Sequence, residues 1–281
     1  MAEIIDGKAL AAKFKRDLLV RANKFECDKG RKIGLAVIRV GANPASAVYV
    51  RNKIKACNEC NIRSFSYELD ENIDSEQLVE LIHKLNVDAQ VDGILVQLPL
   101  PKHIDERAVL SEIVPQKDAD GFHAVNAGKL FLGEKDGTVA CTPRGIIELI
   151  KSTGVPISGK HAVVVGRSNI VGKPIAALLL ANDATVTVCH SRTVNLKEIT
   201  LSADILVVAI GKTKFITADM VKPGAVVIDV GMNRDENGLC GDVDFDGVKD
   251  VAGYITPVPG GVGPMTVAML LCNTVDGALH E

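Results

Sequence analysis

Apolar residues at Leu10, Phe14, Leu18, Ala22 and Phe25 recur every three or four positions, a stripe that predicts an amphipathic helix over residues 8–25. Residues 33–40 are a nearly unbroken apolar run ended by Gly41 and Asn43-Pro44, which predicts a strand, and residues 45–60 read as helix again. The alternation continues with a strand over 62–69, a helix over 75–85 opened by Ser75 as its cap, and a strand over 91–98 broken by Pro99 and Pro101. Strands alternating with helices imply a parallel sheet with both faces covered.

Between residues 115 and 142 the pattern weakens, because Gly121, Gly128, Gly133 and Gly137 interrupt every run, and a domain junction is expected there. A helix then starts at Pro143, where a missing amide hydrogen is harmless, and runs to 152. A second alternating series follows, with strands over 161–166, 185–189, 205–210 and 225–231, which predicts a compact doubly wound sheet. After a glycine and proline cluster at 257–264, residues 265–279 are apolar enough for a final helix. The sequence carries neither an internal repeat nor a low-complexity tract.

Composition narrows the class without changing this outline. The 281 residues are 47% hydrophobic and 24% charged, the balance of a globular protein with a sizeable core. A net charge of -3 leaves no general cationic field, so nucleic acid is not an expected partner. The seven cysteines are odd in number and irregularly spaced, and no apolar leader follows Met1, which together suggest a reduced cytoplasmic setting. Cys57 and Cys60 form a CxxC without a second ligand pair, so two packed thiols on a helix are expected rather than zinc ligands. No stretch reaches the 18 or so uninterrupted apolar residues of a membrane span, and a soluble protein is expected.

The strand 162–165 runs straight into Gly166-Arg167-Ser168-Asn169-Ile170-Val171-Gly172-Lys173-Pro174. This is an irregular form of the dinucleotide-binding turn: Ser168 stands at the second glycine position and the last glycine is displaced by one. Its context, a buried strand before it and a helix started by Pro174 after it, would aim helix amides at a pyrophosphate. A tight strand-to-helix turn without a ligand is the alternative. At the end of the next strand, Cys189-His190-Ser191-Arg192-Thr193 lacks the carboxylate that commonly binds an NAD ribose. Ser191 and Arg192, with Arg167, could hold a 2'-phosphate instead, which favours NADP over NAD. Otherwise they are solvated loop residues.

Four further segments carry chemistry. Tyr49-Val50-Arg51-Asn52-Lys53 puts a tyrosine ring and an ammonium on one helical face, where a desolvated lysine can act as acid or base. Taken alone, the pair also suits an ordinary helix surface. Residues 91–101, VDGILVQLPLP, set Gln97 at the carboxyl end of a strand, the position that faces ligands in such folds. Lys117-Asp118-Ala119-Asp120-Gly121-Phe122 places two carboxylates in a turn, itself a common arrangement. Finally, Pro257-Val258-Pro259-Gly260-Gly261-Val262-Gly263-Pro264-Met265-Thr266 holds three glycines between prolines, a stiff loop suited to close approach of a flat ligand.

YVRNK, GILVQLPLP, KDADGF, VVGRSNIVGKP and PGGVGPMT, in this order, resemble the methylenetetrahydrofolate dehydrogenase/cyclohydrolase family over nearly the whole chain. The resemblance implies an α/β fold of two domains with an active-site cleft between them. A catalytic, folate-binding domain would cover 1–122, joined by the carboxyl-terminal helix 265–281, and a Rossmann-like NADP-binding domain would cover 123–264. It implies oxidation of 5,10-methylenetetrahydrofolate to the methenyl form with NADP, then hydrolysis to 10-formyltetrahydrofolate, in one-carbon metabolism. On the same resemblance Lys53 is the catalytic lysine, Tyr49 stacks on the folate, Gln97 tunes the lysine and Asp120 anchors the pterin. Backbone at Val96, Gln97, Leu98, Pro259, Gly260, Gly261, Val262 and Gly263 would line the substrate. Gly166, Arg167, Ser168, Ser191 and Met232 would hold NADP. A homodimer is implied, and no metal. Three alternatives stand beside this reading: a monofunctional NAD(P)-dependent methylenetetrahydrofolate dehydrogenase; a dehydrogenase of small hydroxy acids or polyols, which needs a catalytic His or a YxxxK within the dinucleotide domain, whereas the YxxxK at Tyr49 lies before it; and a non-catalytic folate or NADP binder.

Overall fold

The computed structural model describes residues 1–236 and 238–280; residue 281, the end of the expected carboxyl-terminal segment, lies outside the described residues. The chain opens with β1 (Glu3–Ile4), α1 (Gly7–Lys29), β2 (Gly34–Val40), α2 (Pro44–Glu59), β3 (Arg63–Leu69), α3 (Ser75–Val87), β4 (Gly93–Val96), α4 (Glu106–Ser111) and α5 (Ala124–Leu132). It continues with α6 (Cys141–Ser152), β5 (His161–Val165), α7 (Gly172–Ala181), β6 (Thr185–Cys189), α8 (Leu196–Leu201), β7 (Ile205–Val208) and β8 (Val226–Asp229). Last come β9 (Asn233–Asp235), β10 (Gly238–Cys240), α9 (Phe245–Val248), β11 (Tyr254–Ile255) and α10 (Val262–Leu279).

These elements fall into two compact units. One comprises Ala12–Cys141 and the chain from Val267 onward; the other comprises Met1–Ala11 and Thr142–Thr266. The division differs from the expected 1–122 and 123–264 at both ends, for identifiable reasons. β1 pairs in parallel with β11, Glu3 opposite Tyr254, which draws the first residues into the dinucleotide unit. Residues 123–141 stay with the first unit because Asn126 Nδ2 donates to Pro115 O (2.9 Å) and to Asp118 Oδ2 (3.0 Å), and Asn273 Nδ2 donates to Val139 O (2.9 Å).

The first unit holds a three-stranded parallel sheet in the order β3-β2-β4. One face packs Ala36, Ile38, Ile94 and Val96 against Leu78, Ile82 and Leu85 of α3. Asp92 locks the amino ends of β2 and β4: its buried carboxylate takes two parallel bonds from Arg31 (2.8 Å each) and one from Gly34 N (2.7 Å). The cap of α3 is Asp74, whose Oδ1 accepts from Gln77 N at 2.8 Å, one residue before the expected Ser75. The glycine-broken segment contains a helix after all: α5 tolerates Gly128 in its interior and ends at Gly133, whose φ of +77° is the left-handed stop glycine supplies cheaply.

In the second unit all strands of a six-stranded sheet run parallel, in the order β1-β11-β8-β7-β5-β6, with an antiparallel hairpin, β9–β10, beside it. Its core gathers Val163, Val165, Leu206, Val208, Val227 and Ile255. The helices expected to begin at Pro143, Pro174 and Met265 begin earlier, and Pro143, Pro174 and Pro264 are each the third residue of α6, α7 and α10. First-turn amides have no intrahelical acceptor, so proline fits anywhere in that turn. By length and composition α10 could cross a membrane, but 61% of it is buried inside the protein, as in a core helix. Cys57 and Cys60 are buried free thiols, and burial pushes them up to about 12 and about 11, so they stay protonated and pack as apolar groups.

Candidate active site

The first unit assembles its polar residues at the carboxyl end of β4. Gln97 follows directly on that strand and is fixed by its backbone, since Gln97 N donates to Ile38 O at 2.8 Å. Its side chain bridges two elements: Oε1 accepts from Lys53 Nζ at 3.0 Å, and Nε2 donates to Leu98 O at 2.7 Å. The amide is thereby oriented, with its oxygen turned to the lysine. Tyr49 lies one turn before Lys53 on α2 and is 41% exposed, a ring presented outward rather than spent on the core. Val96 is buried, and Leu98 precedes a cis peptide to Pro99, which turns the chain sharply after the strand.

Asp120 reaches the same place from the other edge of β4. Residue 118 bridges Ile94 in parallel, and Ala119 N donates to Ile94 O at 3.2 Å, so the turn extends the sheet. The two carboxylates of KDADGF then divide their tasks. Asp118 is buried and serves the backbone, accepting from Gly121 N (3.1 Å), His123 N (2.8 Å) and Asn126 Nδ2 (3.0 Å). Gly121 at φ +74° has no room for a Cβ against the Val139–Ala140 peptide. Asn273 Nδ2 and Cys141 Sγ both donate to Ala119 O, at 2.9 and 3.2 Å. Asp120 is not spent on these bonds. Burial pushes its carboxyl up to about 6, with Asp118 adding to the rise and the Lys53 ammonium pulling it back. Lys53, Gln97 and Asp120 thus form one cluster. The supporting roles of Asp118 and Asn273 were not legible beforehand, because their partners are backbone groups.

In the second unit the turn after β5 has the shape of a phosphate cradle. Gly166 takes φ +128°, and a Cβ there would collide with Ala209 O; a Cβ at Gly172 would collide with Gly166 O. Ser168 Oγ accepts from Val171 N (3.2 Å) and Gly172 N (3.3 Å) at the start of α7. The expected free helix amides are therefore partly served by Ser168, whose own O–H remains as a donor. After β6, His190 N donates to Thr193 Oγ1 (2.8 Å) and Arg192 N to His190 Nδ1 (3.2 Å), a tight turn that leaves Ser191 and Arg192 exposed. Arg167 is exposed too. Two guanidinium groups, two hydroxyls and a cradle without side chains fit a phosphate-bearing dinucleotide.

The loop 257–263 belongs to this unit. It contains the cis peptide Val258–Pro259 and Gly260 at φ +114°, and Gly261 N closes back on Pro257 O at 2.9 Å. Gly7, the first residue of α1, lies so close to Gly261 O that no Cβ could fit. Met232 is 48% exposed, and its Cε lies 3.6 Å from where a Cβ on Gly263 would stand. The expected cofactor residue Met232 and the expected substrate loop are therefore neighbours within this unit.

Residues 5–120 match the family described as tetrahydrofolate dehydrogenase/cyclohydrolase, catalytic domain, and residues 140–281 match its NAD(P)-binding domain. The chain is 58% identical to the bifunctional protein FolD of Acetivibrio thermocellus over 99% of this chain and 97% of that protein. Among solved structures, the bifunctional FolD methylenetetrahydrofolate dehydrogenase/cyclohydrolase of Campylobacter jejuni superposes with a TM-score of 0.97 at 50% identity, covering 100% of this chain and 99% of that one. The Trypanosoma brucei enzyme, solved with NADP cofactor and an inhibitor, gives 0.95 at 43% identity, with 99% and 98% covered. The chain belongs to the tetrahydrofolate dehydrogenase/cyclohydrolase family.

Proposed function

We propose that the protein is a bifunctional folate enzyme: it oxidises 5,10-methylenetetrahydrofolate to 5,10-methenyltetrahydrofolate with NADP and hydrolyses that product to 10-formyltetrahydrofolate. The observation that carries this reading is the Lys53–Gln97 bond, 3.0 Å long, beside the raised carboxyl of Asp120. It supplies one proton-moving group and one pterin anchor, and the two steps demand little more.

In the first step, hydride leaves a carbon flanked by two nitrogens, which share the resulting positive charge without help from a strong base. NADP, when bound, supplies the acceptor for that hydride. The residues then have only to position: Tyr49 stacks on the folate, and Asp120 accepts paired N–H bonds from the pterin's ring nitrogen and amino group. Backbone at Val96–Leu98 and Pro259–Gly263 completes the substrate contacts in this reading. Gly166, Arg167, Ser168, Ser191 and Met232 receive the cofactor, and the cation and hydroxyl pair Arg192 and Ser191 favours its 2'-phosphate form.

In the second step water adds to the methenyl carbon and a proton must leave the oxygen before the ring opens. Lys53, as the neutral amine with one N–H held by Gln97 Oε1, takes that proton, and the remaining hydroxyl proton passes to N5 as the carbon–N5 bond breaks and the formyl carbonyl forms. The reading includes a homodimer, as the family resemblance implies, and a cytoplasmic location, for which the odd, irregularly spaced cysteines speak; sedimentation of the purified chain checks the dimer. The assay that tests the function follows methenyl absorbance with NADP and with NAD. Formation and decay of methenyl with NADP are expected. Formation without decay would reduce the protein to a dehydrogenase, and neither would leave a folate or NADP binder.

A further inference from the structure

Two buried carboxylates in the dinucleotide unit lie outside every residue assigned above. Asp229 ends β8, and Asp242 follows β10. Both are buried, Asp242 completely. Asp229 accepts from Gly231 N, Asp242 N and Val243 N, all at 2.9 Å. Asp242 accepts from Ile210 N (2.7 Å), Gly211 N (3.0 Å), Lys212 N (2.7 Å) and Asn233 Nδ2 (2.8 Å). Thr256 Oγ1 in turn accepts from Asp229 N at 2.8 Å, at the entrance to the 257–263 loop.

Burying two carboxylates side by side is unfavourable unless dipoles compensate, and here almost all of the compensation is backbone N–H. Asp229 shows the strain of the arrangement: burial pushes it up to about 7, Asp242 adds to the rise, and its three amide bonds pull it down. The surroundings are cut to fit. A Cβ at Gly231 would overlap the Asp242 carboxylate, and one at Gly241 would overlap that of Asp229. What the pair ties together is specific. Residues 210–212 follow β7 and residues 231–233 follow β8, so both loops stand at carboxyl ends of neighbouring parallel strands, where open α/β sheets bind ligands. The first loop starts beside the phosphate turn, since Gly166 packs on Ala209 O. The second carries Met232, whose neighbours Gly231 and Asn233 donate to Asp229 and Asp242 respectively.

We propose that Asp229 and Asp242 act as positioning residues for the cofactor, holding the 210–212 and 231–233 loops in register so that Met232 and the 210–212 turn meet a bound NADP. The proposal rests on the NADP reading of this unit. It makes the pair a requirement of cofactor binding and not of methenyl hydrolysis, which takes up no hydride.

Asp242→Asn keeps the size but turns an amino group toward backbone amides, which releases one of the two loops. Calorimetric titration with NADP+ is expected to show a Kd raised about 10–100-fold, with KM for NADP rising in parallel, while hydrolysis of added methenyltetrahydrofolate stays within about twofold. A folded Asp242→Asn protein with wild-type NADP affinity overturns the proposal. Should this variant lose hydrolysis as well, Asn233→Ala decides, because it removes one donor from a partly exposed residue. Weakened NADP+ binding with hydrolysis retained supports the positioning role, and unchanged affinity overturns it. Wild-type protein that binds no NADP+ overturns instead the functional reading beneath it.

Discussion

The two sites are built by opposite means. In the first unit the proposed chemistry falls to a few side chains that the backbone delivers: Lys53 from a helix, Gln97 from a strand end, Asp120 from a turn pinned by Asp118 and Asn273. In the second unit the proposed cofactor site is shaped first by backbone, at the two positions with no room for a side chain, Gly166 and Gly172. The two should therefore fail differently. A side-chain site loses one step when one functional group is removed, whereas a backbone site loses shape when an atom is added.

The sharpest contrast is expected from Gly166→Val. Its φ of +128° and the collision with Ala209 O predict a loss of about 2–6 kcal/mol from backbone strain and overpacking, read by denaturant unfolding, together with loss of NADP binding. Next in size is Gln97→Ala, which removes the acceptor from Lys53 and should slow methenyl hydrolysis about 10–100-fold, chiefly in kcat. Equal losses in kcat and folate affinity would instead make Gln97 a binding group.

Asp120 sharpens the comparison through pH. A pterin that donates two N–H bonds binds the carboxylate form, and the carboxyl titrates at about 6, so affinity is full above that value and falls as pH drops through it. KM for methylenetetrahydrofolate should rise about tenfold from pH 7 to pH 5. Asp120→Asn should raise KM throughout and flatten this limb; a limb that persists would assign it elsewhere. A smaller effect is expected at the edge of the backbone site. Arg192→Ala should lower the preference for NADP over NAD about tenfold in kcat/KM, because one exposed guanidinium contributes on the order of 1.5 kcal/mol to a phosphate. Smallest of all, Asp74→Ala should cost about 1 kcal/mol through the lost cap of α3, seen as a lower melting temperature without change in substrate KM.

The same contrast explains what the sequence made legible. Periodicity located α1, α2, α3, the three strands of the first sheet and β5, β6, β7 and β8 of the second to within a few residues, because burial imposes a repeat on each, but not the two-residue edge strands β1 and β11. It missed α5, whose interior and end are glycines, and the hairpin β9–β10, whose short strands bury little and alternate weakly. Ser75 was expected as the cap of α3 where Asp74 serves, because both residue types can cap a helix and only geometry separates them. At the first site Tyr49, Lys53, Gln97 and Asp120 stood out as motifs, since the proposed chemistry needs particular functional groups. Asp118 was visible too, but its backbone partners were not. The Asp229 and Asp242 pair escaped notice for the same reason, as most of its donors are amides from separate loops, and only Gly231 and Gly241 hinted at crowding there.

The central claim is that Lys53, held by Gln97, is required to move a proton in hydrolysis, while hydride removal needs only positioned substrate and cofactor. The direct measurement follows methenyl absorbance in one cuvette after NADP and methylenetetrahydrofolate are mixed with wild type or Lys53→Met. The account predicts that the variant still forms methenyltetrahydrofolate but hydrolyses it about 10²–10⁴-fold more slowly, so the absorbance rises and stays. Decay at the wild-type rate in the variant would contradict it.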